Sequence, residues 1–154
     1  MTSQQRTAIL VAAGGSLALL AGAFIFQAFG YAPCKLCLWQ RWPHAAAIVI
    51  GALCLAFRRE GLAWLGALAA LATAGAGIYH TGVERGLWLG PTTCTSGDVG
   101  SLSADDLMNQ ILNAPLIRCD EVAWSLFGLS MASWNALFSL GLAAIWVWAA
   151  TRHA

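Results

Sequence analysis

The chain has 154 residues, 59% of them hydrophobic and only 10% charged, with eight tryptophans and a formal net charge of +1. Soluble domains carry about a quarter charged residues, so this composition excludes an ordinary soluble protein and points to the membrane. No nucleic-acid partner is expected.

The charges are unevenly spaced, and the gaps between them mark the spans. A bilayer core needs about 20 apolar residues of helix, and helices are predicted at about 8–29, 38–57, 61–80 and 132–150. The first lies in a stretch of 28 residues, from Thr7 to Cys34, that contains no Asp, Glu, Lys or Arg. It is longer than the roughly 7 to 15 apolar residues of a signal peptide, so it is read as a retained helix. The second is short of apolar residues at its start. It is expected to begin near Leu38, with Arg41 snorkelling to the interface and Pro43 tolerated in the first turn.

Four helices place both termini on one side of the membrane. The connections at about 30–41 and 80–131 then share the other side, which brings Cys34, Cys37, His80, Cys94 and Cys119 to one face and leaves Cys54 alone inside the second helix. Arg and Lys are tied at four on each side: Arg6, Arg58, Arg59 and Arg152 against Lys35, Arg41, Arg85 and Arg118. The tight Arg58-Arg59-Glu60 turn is hard to translocate, and persistent thiol pairs suit an oxidising compartment such as the bacterial periplasm. The termini are therefore expected in the cytoplasm.

The long connection is too small for its own core, so the whole chain, 1–154, reads as a single membrane domain. "GPTTCTSGDVG" is rich in turn formers and exposes Cys94. In "SLSADDLMNQIL", Ser103 is a plausible cap, with Asp105 and Asp106 in the first turn and Leu107, Met108, Ile111 and Leu112 along one face of a short amphipathic helix. The fold class is thus an all-α membrane protein: a four-helix transmembrane bundle with a long periplasmic loop that carries a short helix.

Cys34 and Cys37 form a CxxC, which can be half of a metal site, a structural disulfide or a redox centre. Cys94 and Cys119, with 24 residues between them, supply no second metal knuckle, and a CxxC disulfide closes so small a ring that it stabilises little. The redox reading is favoured over the other two. Electrons leaving a thiol pair at a membrane edge need an acceptor. No haem or nucleotide-binding motif is visible, whereas a lipid-soluble quinone needs only an apolar slot with a few polar groups. Arg41, four residues beyond Cys37, and His80, at the end of the third helix, are the candidate polar groups, each with a bland alternative as an interfacial anchor or cap.

"PCKLCLWQRWP" at 33–43, "YHTGVE" at 79–84, the lone Cys94 and "CDEVAWSLFGLSMASWN" at 119–135 resemble the DsbB family of membrane disulfide oxidases, in order and over essentially the whole chain. In that family a DsbA, DsbB and quinone relay keeps the periplasm oxidising. The resemblance implies a Cys94–Cys119 disulfide attacked at Cys94 by a DsbA-like, thioredoxin-fold periplasmic partner. Cys119 would then attack Cys34, freeing Cys37 to face ubiquinone or menaquinone. It further implies that Arg41 stabilises the developing charge, that His80 is a quinone-site histidine and that Glu84 is its neighbour. The implied setting is the bacterial inner membrane, with lipid and quinone as further partners and no metal. The alternative is a non-enzymatic four-span protein with structural disulfides or a metal site. Cys54, buried and solitary, is expected to be inert.

Overall fold

The computed structural model describes residues 1–91, Asp105, Met108 and 117–152. Four long helices carry the fold: α1 (Ser3–Ala28), α2 (Lys35–Phe57), α3 (Ala63–Glu84) and α4 (Met131–Thr151). A single 3-10 turn, Glu60–Leu62, precedes α3, and a two-stranded hairpin of β1 (Ser125–Leu126) and β2 (Leu129–Ser130) precedes α4.

Each helix start satisfies its free amides locally. Thr2 and Gln5 form a reciprocal capping box on α1, and Ser130 caps α4 by accepting from the Ser133 amide at 3.2 Å. The cap of α2 is a cysteine: Cys34 Sγ accepts from the Cys37 amide at 3.3 Å. The hairpin turns through Phe127 (φ 52°) and Gly128 (φ 75°), the two positive φ values that a tight two-residue turn demands.

Consecutive helices reverse direction and pack as a ring, α1 on α2 and α4, α3 on α2 and α4. Both ends of the chain meet at one end of the bundle, where the Gln5 side-chain amide donates to the carbonyls of Ala149 and Arg152, and the Met1 amino group lies 3.4 Å from Glu60. The core there is made of small residues. Ala63, Gly66, Ala67, Ala70 and Ala74 form the inner stripe of α3 and let α4 approach closely enough for Trp146 to be wholly buried. A Cβ added at Gly66 would lie 2.5 Å from the Trp146 ring. Large apolar side chains such as Leu17, Phe24, Leu68 and Leu71 point outward instead, as a lipid-facing surface requires.

Among the described residues three segments are long and apolar enough to cross a membrane: α1, Glu60–Glu84 and α4. The remaining helix, α2, has 23 residues but carries Lys35, Gln40, Arg41 and His44 in its first half. The chain is an all-α membrane protein, as its sequence predicts. The helix bounds differ from those expected in one respect that matters. Because Cys34 caps α2, the helix begins at Lys35 rather than near residue 38, which places Cys37 and Arg41 inside it and Pro43 in its interior rather than its first turn. The proline costs the helix one hydrogen bond without ending it. Cys94 and most of the expected amphipathic helix lie outside the described residues. Of that helix only Asp105 and Met108 are described, both helical and exposed.

Candidate functional site

The site is at the end of the bundle opposite the termini, and it starts with the cap of α2. A helix N-terminus presents unpaired amides and a partial positive charge, which favour an anion at that position. Cys34 sits there with its sulfur 3.0 Å from Cys37 Sγ and 3.5 Å from His80 Nε2. The hydrogen bond from the Cys37 thiol and the adjacent His80 ring pull the Cys34 thiol down to about 4, against the opposing effect of burial. Cys34 and Cys37 are both free. The ligand atoms of Cys34, Cys37 and His80 lie within 4.8 Å of one another, close enough to hold one ion. The sulfurs, however, are nearer together than the roughly 3.8 Å that two thiolates on one tetrahedral zinc require. Their spacing suits a dithiol.

His80, on the last turn of α3, is buried by a set of polar side chains that continues into the bundle. Its Nδ1 lies 2.9 Å from Gln40 Nε2. The Gln40 side-chain oxygen accepts from Asn135 Nδ2 at 2.7 Å, and Asn135 Oδ1 lies 2.8 Å from His44 Nε2. The Thr73 hydroxyl donates to the Gln40 carbonyl and accepts from Asn135, both at 3.1 Å. On the other side of His80, Glu84 Oε1 is 3.8 Å from Nε2, and the Ser130 hydroxyl donates to the Glu84 carboxylate. Polar groups in the apolar part of a bundle are expensive unless they satisfy one another, and these pair across α2, α3 and α4 except at His44 Nδ1.

A cavity of about 420 Å³ opens against this network. Its wall is mainly apolar and aromatic, including Phe26, Tyr31, Trp124, Trp134 and Phe138, and its polar contributors are Cys37, Gln40, Arg41, His44, His80 and Asn135. Cys37 borders the cavity and Cys34 does not. Cys34 instead packs with Leu36, Val83 and Cys119 in a separate buried cluster. Cys119 is disulfide-bonded and 2% exposed. Cys37 also packs against that cluster, so the CxxC as a whole adjoins the disulfide-bonded cysteine, and of its two cysteines Cys37 alone also borders the cavity. A larger groove of about 810 Å³ at the terminal end has no cysteine or histidine in its wall.

Of the residues the sequence singles out, Cys34, Cys37, His80 and Cys119 come together and Arg41 borders the same cavity. The Arg41 guanidinium is tied to α1: it donates to Gln27 Oε1 at 2.8 Å and to the Ala23 carbonyl at 3.3 Å, with its carbon 4.7 Å from the centre of the Phe24 ring. Its buried Nε has no partner among the described residues. Glu84 does not border the cavity and stands behind His80. Cys54 lies in the core at the terminal end with no exposure. Sequence reasoning misses Gln40, His44, Thr73 and Asn135. The signal for the first two is the spacing of 37, 40, 41 and 44, which places all four on one face of a helix once α2 is known to start at Lys35.

The family model of "Disulfide bond formation protein DsbB" matches residues 5–149. Over 131 residues the chain is 35% identical to "Disulfide bond formation protein B 2" of Pseudomonas savastanoi pv. phaseolicola, which covers 78% of this chain and 73% of that protein. It is 33% identical over 136 residues to "Disulfide bond formation protein B 2" of Pseudomonas aeruginosa, covering 83% and 80%. An alignment of 160 positions with "Disulfide bond formation protein B" of Stutzerimonas stutzeri is 29% identical and covers 96% of each chain. No solved structure matches. A CxxC at the edge of a membrane bundle, a disulfide-bonded cysteine beside it and this match along nearly the whole chain lead to one conclusion: the protein belongs to the DsbB family of disulfide bond formation proteins.

Proposed function

We propose that this protein is a thiol oxidase that regenerates a periplasmic DsbA-like, thioredoxin-fold partner and passes two electrons to a membrane quinone. The observation that carries the reading is the position of the CxxC between two neighbours: Cys34 is buried in one cluster with Cys119, and Cys37, packed against that cluster, also borders an apolar cavity. The termini are assigned to the cytoplasm and the cysteine end to the periplasmic face of the bacterial inner membrane, where thiol pairs persist as disulfides.

The chemistry balances as a chain of exchanges. A thiolate of the reduced partner attacks Cys94 in a Cys94–Cys119 disulfide, forming a mixed disulfide and releasing Cys119 as thiolate. Cys119 attacks Cys34 in the oxidised CxxC, and Cys37 leaves. The partner's second thiol displaces Cys94 and completes the partner's disulfide; Cys94 then re-forms its bond to Cys119 and expels Cys34. The last step releases Cys34 at the cap of α2, where the helix N-terminus and the adjacent His80 ring favour a thiolate. The dithiol left at Cys34 and Cys37 holds two electrons and the protons that accompany them.

The cavity suits the head of a quinone, being mostly apolar with a few polar groups at one side. When bound, the quinone supplies a two-electron, two-proton acceptor. Cys37 is the sulfur that faces it, Arg41 provides a fixed positive charge at the cavity wall, and His80 sits between the dithiol and Glu84. In a medium of low dielectric, such a charge acts far more strongly than in water.

The test is steady quinone reduction by the purified protein with reduced partner, run beside single-turnover formation of the mixed disulfide. Arg41→Ala is expected to lower quinone reduction by about a hundredfold and Arg41→Lys by about tenfold, with exchange at Cys94 intact in both. Normal quinone reduction by Arg41→Ala removes Arg41 from the quinone site. A second reading, a four-span protein holding a metal at Cys34, Cys37 and His80, has the closeness of those three ligand atoms in its favour. Metal analysis of the purified protein, with stoichiometric metal lost in Cys34→Ala, would establish it instead.

A further inference from the structure

His44 has no place in the relay just described, yet it is 3% exposed, borders the cavity and has a buried Nδ1 without a protein partner. The protonation of that atom follows from the hydrogen bonds around it. Gln40 Nε2 lies 3.3 Å from the Leu36 carbonyl, a group that can only accept, so this side of the Gln40 amide is the donor and its Oε1 is an acceptor. The Thr73 hydroxyl spends its one hydrogen on the Gln40 carbonyl, so Asn135 must donate to it, and Asn135 Nδ2 faces Thr73 and Gln40 Oε1. That leaves Asn135 Oδ1 as acceptor for His44, and His44 Nε2 carries the hydrogen at 2.8 Å. In the neutral ring Nδ1 is then a bare lone pair. By the same logic His80 Nδ1 accepts from Gln40 and His80 Nε2 donates toward Cys34.

Every donor in the series His44, Asn135, Gln40, His80, Cys34 thus points the same way, from the cavity toward the CxxC. Aligned hydrogen bonds polarise one another. An unpaired acceptor buried in apolar surroundings costs about 1 to 3 kcal/mol, so Nδ1 calls for a donor, and the cavity that His44 borders is the space beside it. A quinone carbonyl offers no hydrogen; the hydroxyl of a quinol does.

We infer that His44 is a ligand of this chain for the reduced acceptor, its Nδ1 accepting a hydroxyl hydrogen of the quinol from the wall of the cavity beyond Cys37. The inference rests on the quinone reading above. Oxidation of the Cys34 and Cys37 thiols forms one S–S bond, two electrons and two protons pass to the quinone, and both oxygens become hydroxyls. His44 gains and loses no proton overall. It favours the product state of the transfer because it pairs with a group that exists only after reduction.

The experiment measures the affinities of a short-chain ubiquinone and of its quinol, the latter under anaerobic conditions, for the purified protein and for His44→Leu. The expected result is quinol binding weakened by about tenfold, about 1.4 kcal/mol, with quinone binding changed by less than about twofold. Equal changes, or none, overturn the inference and leave Nδ1 to a water molecule. If the unaltered protein binds neither form, the quinone reading itself fails. As a readout that needs no variant, nitrogen-labelled histidine spectra of the unaltered protein should shift at His44 Nδ1 with quinol and not with quinone. Identical spectra with the two forms contradict the assignment even if His44→Leu does not fold.

Discussion

The two ends of α2 each bury a cysteine, and the two have little else in common. Cys54, in the last turn, is wholly enclosed by Ile9, Ala12, Trp146 and a set of alanines. Cys34, at the cap, is nearly as buried at 6% exposed, but it is in contact with a second sulfur, an imidazole and a backbone amide. Burial alone therefore does not separate an inert thiol from a reactive one. What separates them is whether the neighbours can stabilise the thiolate, and only the helix N-terminus with Cys37 and His80 beside it does so. The surrounding packing follows the same division. At the terminal end small residues let helices touch directly, and at the cysteine end the gap between helices is filled by amides, hydroxyls and rings that satisfy one another.

The strongest way to break the comparison is to remove a reacting sulfur. Cys37→Ala should lower quinone reduction by at least about 10³-fold while the protein still folds, because no other cysteine borders the cavity among the described residues. Activity near normal would mean that the cavity next to Cys37 is not where electrons leave.

At the other end the damage should be to stability instead. Gly66→Ala drives a methyl into the Trp146 ring, which is packed too tightly to yield, and overpacking of this kind costs about 1 to 3 kcal/mol. Thermal unfolding in detergent should come at a lower temperature, with turnover per folded molecule unchanged. A variant as stable as the parent would show that the α3 and α4 contact is looser than described.

Acidity sharpens the contrast without altering any residue. Cys34 is depressed from 9.0 in the free thiol to about 4, so in the reduced protein its thiolate persists as the pH falls and is lost only near the lower value. The stability it contributes is fully present above the free value and disappears as the pH drops through about 4. The ultraviolet absorbance of one thiolate should survive at about pH 5 and be absent from Cys34→Ala. Loss of that absorbance already near pH 8 would contradict the stabilisation by Cys37 and His80. The smallest effect belongs to Cys54→Ala, which should change turnover by less than about tenfold, or about 1.4 kcal/mol of barrier. A greater loss in a folded variant would place Cys54 in the relay.

Much of this division is legible in the amino-acid sequence. Charge gaps give the four helices, and helix parity alone brings Cys34, Cys37, His80 and Cys119 to one end and isolates Cys54. The polar network is less legible because its members lie one or two per helix, and their pairing depends on the rotation of α2, α3 and α4 about their axes. Asn135 and Thr73 look like ordinary polar interruptions of apolar runs. His44 stands next to Pro43, and an assumed helix start near Leu38 hides the fact that it shares a face with Cys37. Once Cys34 is recognised as the cap, the register of α2 follows, and with it the face that borders the cavity. The hairpin at Ser125–Ser130 is hidden for another reason: its strands have two residues each, too few to show any alternation.

The central claim is that the Cys34 and Cys37 dithiol delivers its electrons directly to a quinone. The most direct measurement uses protein in which Cys94 and Cys119 are both replaced by alanine, fully reduced and freed of reductant, then mixed anaerobically with a short-chain quinone. One quinol should form for each Cys34–Cys37 disulfide identified by peptide mapping, with Cys54 still a free thiol. Quinol formation with both thiols intact, or no quinol at all from folded protein, would contradict the account.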